Sequence, residues 1–196
     1  MFDDSEPIFD DRAFHKCDWS ELYPGAGGPD PPGMPPARGK KVCMTCFAGA
    51  GHAGCKETRR SHSGVIIFVN RAPIVWYSKR QNTVETSTFG SEIVAMRIAI
   101  ELIEGLRYKL RMMGVGIEGE CDVFCDNESV TKNVTRPESP LKKKHCAVSY
   151  HKAREAIAAK IIRVAKICGK VNLADLLTKL LSGPTLRDLV GMVMWR

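Results

Sequence analysis

The chain has 196 residues, 44% hydrophobic and 26% charged, which is enough apolar material for one sizeable core and excludes a disordered polyampholyte. Its net charge of +7 is unevenly spread: residues 1–36 hold eight acids against Arg12 and Lys16, whereas residues 37–196 hold 27 bases and 14 acids, a net +13. A domain that basic attracts polyanions, nucleic acid foremost, although a solvated basic face has the same composition.

Seven of the eleven prolines fall within residues 1–36. The stretch 1–40 is expected to be an acidic, Pro/Gly-rich arm, with Phe14, Trp19 and Tyr23 available for docking, ahead of a domain over 41–196. Strands are expected over 42–48, 64–70 and 72–79, the last two joined tightly by Asn70-Arg71 as a hairpin, with Pro73 placing the later strand at an edge. Residues 88–113 switch to a helical period through Ile93, Met96, Ile100, Ile103, Leu106 and Leu110, with Thr88 as cap, Gly114 as stop, and Arg107, Lys109 and Arg111 facing water. A strand over 121–126, a helix over 127–135, a helix over 145–159, a strand over 160–167 and a final helix over 172–181 capped by Asn172 complete the order. No basic-then-apolar leader pattern opens the sequence, and the apolar run Val65-Ile66-Ile67-Phe68-Val69 is too short for a bilayer. The expectation is a protein without membrane contact, intracellular (cytoplasmic or nuclear) rather than secreted, with its eight cysteines as reduced thiols.

Three acids stand where elements meet. Glu92 lies in the first turn of the long helix, Asp126 ends a buried strand, and Asp175 lies one turn into the last helix. Phosphodiester chemistry uses clustered carboxylates to hold divalent cations, and Mg²⁺ prefers such hard oxygen donors. Each acid also has a plainer reading. A first-turn acid favours the helix macrodipole, and an Asp before Asn makes a turn.

The blocks Thr58-Arg59-Arg60-Ser61-His62-Ser63-Gly64, Trp76-Tyr77-Ser78-Lys79-Arg80-Gln81, Ser87-Thr88 with Ser91-Glu92, and Phe124-Cys125-Asp126-Asn127-Glu128-Ser129 resemble the ribonuclease H region of copia-type LTR retrotransposon polyproteins. Lys143-Lys144-His145, Tyr150-His151 and Ala174-Asp175-Leu176-Leu177-Thr178-Lys179 extend the likeness in the family's order. The acidic arm is similar to that family's connection from reverse transcriptase. The resemblance implies an α/β ribonuclease H-like fold: a five-stranded mixed sheet, three antiparallel strands followed by helix-strand-helix-strand-helix, flanked by helices. It implies hydrolysis of the RNA strand of an RNA–DNA hybrid with two Mg²⁺ ions, beside the reverse transcriptase domain of a parent polyprotein. By position Glu92, Asp126 and Asp175 match three of the family's four carboxylates.

The fourth, in an Asp-Ala-Asp segment before His-Ala-Gly, is missing, for the chain reads Gly49-Ala50-Gly51-His52-Ala53-Gly54. A ligand shared by both metals is thereby lost at Gly49, and little or no hydrolysis is expected. The alternative is a non-catalytic module binding the hybrid or RNA. Arg59, Arg60, Lys142, Lys143 and Lys144 are candidates for phosphate contacts. His145 is a candidate for proton transfer or, more plainly, for a helix cap. Trp76 and Tyr77 read as sheet packing rather than a base-stacking platform. Cys43, Cys46, His52 and Cys55 begin like a zinc site, but their spacing and the strand alternation favour ordinary thiols.

Overall fold

The computed structural model describes residues 11–27 and 30–194. Strands β1 (Arg38–Val42), β2 (Met44–Gly51), β3 (His62–Val69) and β4 (Ala72–Arg80) lead into helix α1 (Thr88–Met112). Then follow β5 (Val115–Ile117), β6 (Cys121–Cys125), α2 (Glu128–Thr135), α3 (Ala147–Ala158), β7 (Ile162–Lys166) and α4 (Gly183–Val193). The main sheet has the order β4-β3-β2-β6-β7. β2 pairs antiparallel with β3 and β3 with β4, whereas β2, β6 and β7 run parallel. This is the expected five-stranded mixed sheet. β4 is its edge, as Pro73 required.

Period-two alternation sorts the strands' side chains onto two faces. On one face Met44, Cys46, Ala48, Val65, Ile67, Cys121, Val123 and Cys125 meet Ile93, Met96, Ile100 and Ile103 of α1, with Val130, Val134, Ala153 and Ala156 from α2 and α3. On the other, Phe47, Ile66, Phe68 and Phe124 meet Leu173, Ala174, Leu189 and Phe14. Phe14 reaches that second core from outside the sheet, its ring centroid 5.7 Å from that of Phe124.

Several local expectations are corrected. The first strand divides at Cys43: β1 leaves the main sheet to pair in parallel with β5, a three-residue strand too short to show a period in the sequence. Ser87, not Thr88, caps α1, its side chain accepting from the Gly90 amide. Arg107 does not face water; it is 8% exposed and donates to the Gly119 carbonyl at 3.0 Å. Trp76 is not packed in the sheet, being 69% exposed, while Tyr77 on the opposite face lies against the first core. The final helix is not at 172–181. A 3-10 turn, Leu173–Leu177, occupies that stretch, with Asn172 accepting from the Ala174 amide, and α4 begins at Gly183 with Pro184 in its first turn. The helix expected over 145–159 opens as a separate 3-10 turn, Lys144–Cys146, before α3.

Candidate functional site

The C-terminal ends of β2 and β6 lie beside each other in the sheet, and the N-terminal turn of α1 and the Leu173–Leu177 turn close over them. Glu92 comes from α1, only 7% exposed. Its Oε2 is buried without a hydrogen-bond partner. Burial first, and then the neighbouring charge of Asp126, push its carboxyl up to about 8, against a hydrogen bond from the Ala50 backbone. Asp126 follows the last residue of β6. Carboxylate oxygens of Glu92 and Asp126 and the Cys125 Sγ all lie within 4.8 Å of one another.

Asp175 projects from the 3-10 turn and is also buried, and burial raises its carboxyl against the pull of Lys179. It does not join the Glu92–Asp126 group directly. Lys179, one helical turn on, intervenes: its Nζ is 2.8 Å from Asp175 Oδ1 and 4.0 Å from Asp126 Oδ2. Burial lowers the ammonium's pKa, but Asp175, Asp126 and Glu92 outweigh it and the net shift is upward. Three acids thus converge around a cation that the chain itself supplies. Lys179 stands in the sequence as one member of the run Ala174–Lys179, with no mark of its own as a site residue. Its i,i+4 spacing from Asp175 was the available signal.

Glycines let the turn approach the sheet this closely. Gly49 and Gly64 are register partners on β2 and β3. A Cβ at position 49 would stand 3.1 Å from Asn172 Nδ2, 3.3 Å from Ala174 Cβ and 3.9 Å from Glu92 Oε2. One at position 51 would come within 2.5 Å of the Thr178 carbonyl oxygen, and one at position 64 within 2.7 Å of the Ala174 carbonyl oxygen. Asn172 Nδ2 donates to the Ala48 carbonyl and Ser78 Oγ to the Leu177 carbonyl, fastening the turn at both ends.

The remaining candidates lie elsewhere on the framework. Arg59 and Lys142 are exposed, as is Lys144, while Arg60 is half-buried. Lys143 is drawn inward, its ammonium donating to Ser87 Oγ and standing 5.9 Å from the Phe89 ring centroid. His145 pairs with Glu85 at 3.3 Å. Cys43, Cys46, His52 and Cys55 do not assemble as a metal cluster among the described residues; Cys46 is wholly buried, and His52 Nδ1 sits 3.3 Å from Ser91 Oγ. No described helix is long and apolar enough to cross a membrane.

No family model matches the chain. It is 26% identical over 156 residues to the Retrovirus-related Pol polyprotein from transposon RE1 of Arabidopsis thaliana, and 30% identical over 157 residues to that from transposon TNT 1-94 of Nicotiana tabacum. These alignments take in 80% and 79% of the chain but only 11% and 12% of the polyproteins. Among solved structures, the N-terminal RNase H domain of a Mycobacterium tuberculosis protein matches 76% of the chain and 97% of its own length, with a TM-score of 0.54 and 11% identity. LC11-RNase H1, solved in complex with an RNA/DNA hybrid, matches 69% of the chain and 93% of its own length, with a TM-score of 0.53 and 17% identity. The fold and the sequence relationship agree: the chain is a ribonuclease H-like domain homologous to copia-type retrotransposon Pol polyproteins.

Proposed function

We propose that this domain holds an RNA–DNA hybrid but cleaves its RNA strand poorly or not at all, because the carboxylate of position 49 is gone. The observation that carries this reading is the placement of Gly49. A Cβ there would stand 3.9 Å from Glu92 Oε2, behind only Asn172 and Ala174, yet the residue contributes no ligand atom. Glu92 and Asp126 suit one Mg²⁺, and the buried, partnerless Glu92 Oε2 is the donor such an ion would engage. A pair of ions does not fit. The third donor of the group is the Cys125 thiol, a soft ligand that Mg²⁺ avoids, and Asp175 is engaged by Lys179. A bound Mg²⁺ would supply Lewis-acid polarisation and a more acidic water. The chain's own residues do the rest: Asp126 holds negative charge at the sheet's end, Glu92 would add its own once a bound ion displaced its proton, Asp175 is positioned by the turn, and Lys179 offsets the acids' repulsion.

Hybrid recognition rests on the net +13 of residues 37–196, with Arg59, Arg60, Lys142 and Lys144 as the phosphate contacts, Lys143 contributing less because it is turned inward. The setting is an intracellular one, beside the reverse transcriptase domain of a Pol polyprotein. A labelled RNA–DNA hybrid, incubated with Mg²⁺ or Mn²⁺, tests the reading. The unaltered chain should bind it with an affinity that falls steeply between 50 and 200 mM salt, by roughly 10³-fold if about six phosphates are contacted, and should leave the RNA intact. Gly49→Asp should gain cleavage. Because Asn172 crowds position 49, Gly49→Asp combined with Asn172→Ala should gain more. Efficient cleavage by the unaltered chain overturns the impairment, and absence of hybrid binding overturns the whole reading.

A further inference from the structure

A second cluster of metal-ligating atoms lies outside the carboxylate site. It joins the loop before α1 to the 3-10 turn that precedes α3. Glu85, His145 and Cys146 each offer a donor atom, and the three lie within 4.8 Å of one another. We propose that they form a Zn²⁺ site, with a water as fourth ligand, that ties the start of α1 to the start of α3.

Donor chemistry selects the ion. A thiolate, an imidazole and a carboxylate are the three ligand types that Zn²⁺ takes, at about 2.0–2.3 Å, whereas Mg²⁺ and Ca²⁺ want oxygens alone. Donors at such bond lengths around a tetrahedral ion stand roughly 3.5 Å apart, so the cluster needs only a small contraction. His145 Nε2 already stands 3.3 Å from Glu85 Oε2.

The carboxylate is built for a partner that the protein does not fully supply. Glu85 is 9% exposed, its Oε1 accepts from Thr83 Oγ1 at 3.1 Å, and its Oε2 is buried with no hydrogen bond. Room for that oxygen comes from Gly90, where a Cβ would approach it to 2.5 Å. A buried carboxylate oxygen without a hydrogen bond is destabilising, and a cation bound between it and the thiol would engage it directly. Cys146 is 3% exposed and closes the site from the core side, while the His145 side chain, 51% exposed, leaves the outer side open to an ion. Lys143, a neighbouring cation, is turned toward Ser87 Oγ and the Phe89 ring. Binding converts the Cys146 thiol to a zinc-bound thiolate and releases its proton to solvent.

Co²⁺ is the spectroscopic probe for the test. The full chain should show a near-ultraviolet thiolate-to-cobalt band that Zn²⁺ abolishes by displacement and that Cys146→Ser lacks. At a hundredfold excess over its dissociation constant, Zn²⁺ should raise the melting temperature by roughly 5–10 °C, and Mg²⁺ at the same concentration should not. His145→Ala, at a half-exposed position that leaves the core intact, should weaken Co²⁺ binding more than about tenfold while retaining the thiol. Glu85→Gln should do likewise. A cobalt band of unchanged strength in Cys146→Ser assigns the ion to another cysteine and overturns the proposal. So does equal affinity in His145→Ala, or a melting temperature indifferent to Zn²⁺.

Discussion

Glu92 is the residue on which the electrostatics of the carboxylate site turn. In the native, metal-free chain its carboxyl is raised to about 8 by burial and by Asp126, against an unfolded value near 4.5. Below pH 4.5 it is protonated in both states. Between 4.5 and 8 the unfolded chain sheds the proton and the native chain retains it, so this group's contribution to stability declines as pH rises across that window, by at most about 1.4 kcal/mol per pH unit. Glu92→Gln abolishes the decline. Urea unfolding at pH 4.5, 6 and 8 should therefore show the variant gaining on the parent as pH increases. Parallel curves would mean that Glu92 is ionised in the native chain. Arg154 makes the complementary case of a buried base. It is 5% exposed, donates to the Pro137 and Arg136 carbonyls, and lies 4.8 Å from both the Trp19 and Tyr150 ring centroids. Its sequence context gave no warning of that burial, because the partners are carbonyls and rings from distant segments.

At the scale of elements, the contact of the Leu173–Leu177 turn with β2 and β3 depends on bare backbone. Gly51→Ala places a methyl 2.5 Å from the Thr178 carbonyl oxygen, which cannot move without the turn, and should cost about 1–3 kcal/mol. Gly105→Ala, in the exposed middle of α1 with nothing within 4 Å of the added methyl, should instead stabilise by about 0.5–1 kcal/mol. Thermal melts of the two variants check the opposite signs. The strands and α1 were legible in the sequence because one-sided burial imprints a period of two or 3.6 on apolar residues. β1 and β5 carried no such imprint: Arg38–Val42 is charged and largely exposed, and Val115–Ile117 is only three residues long. α4 had a readable start in Ser182-Gly183-Pro184 and a spaced apolar set in Leu186, Leu189, Val190 and Val193. The Asn172 cap and the leucines after it drew the helix too early. The three acids were legible as separate positions and the i,i+4 spacing allowed the Asp175–Lys179 pair, but the approach of that ammonium to Asp126 was not legible, since period says nothing about how a long side chain folds back.

For the whole molecule, residues 11–27 meet the rest of the domain at two places, the second core through Phe14 and helix α3 through Trp19 and Tyr23. Phe14 joins the second core, the Arg163 guanidinium lies 4.1 Å from the Phe14 ring centroid and pairs with Asp11, and Tyr23 Oη stands 2.8 Å from His151 Nδ1. We therefore propose that residues 11–27 unfold with the sheet rather than as a separate arm. Phe14→Ala should lower global stability by about 3–5 kcal/mol, with Trp19 fluorescence and far-ultraviolet circular dichroism reporting one coincident transition. Two separated transitions would show the segment to be independently attached. The bare seam at Gly49, Gly51 and Gly64 also sets the terms on which an acid could be introduced there. With the turn packed against bare backbone, an acid introduced at either β2 position meets an occupied space. An acid at position 49 alone should therefore gain activity at a cost in stability, and a second change that clears Asn172 from its path should relieve that cost.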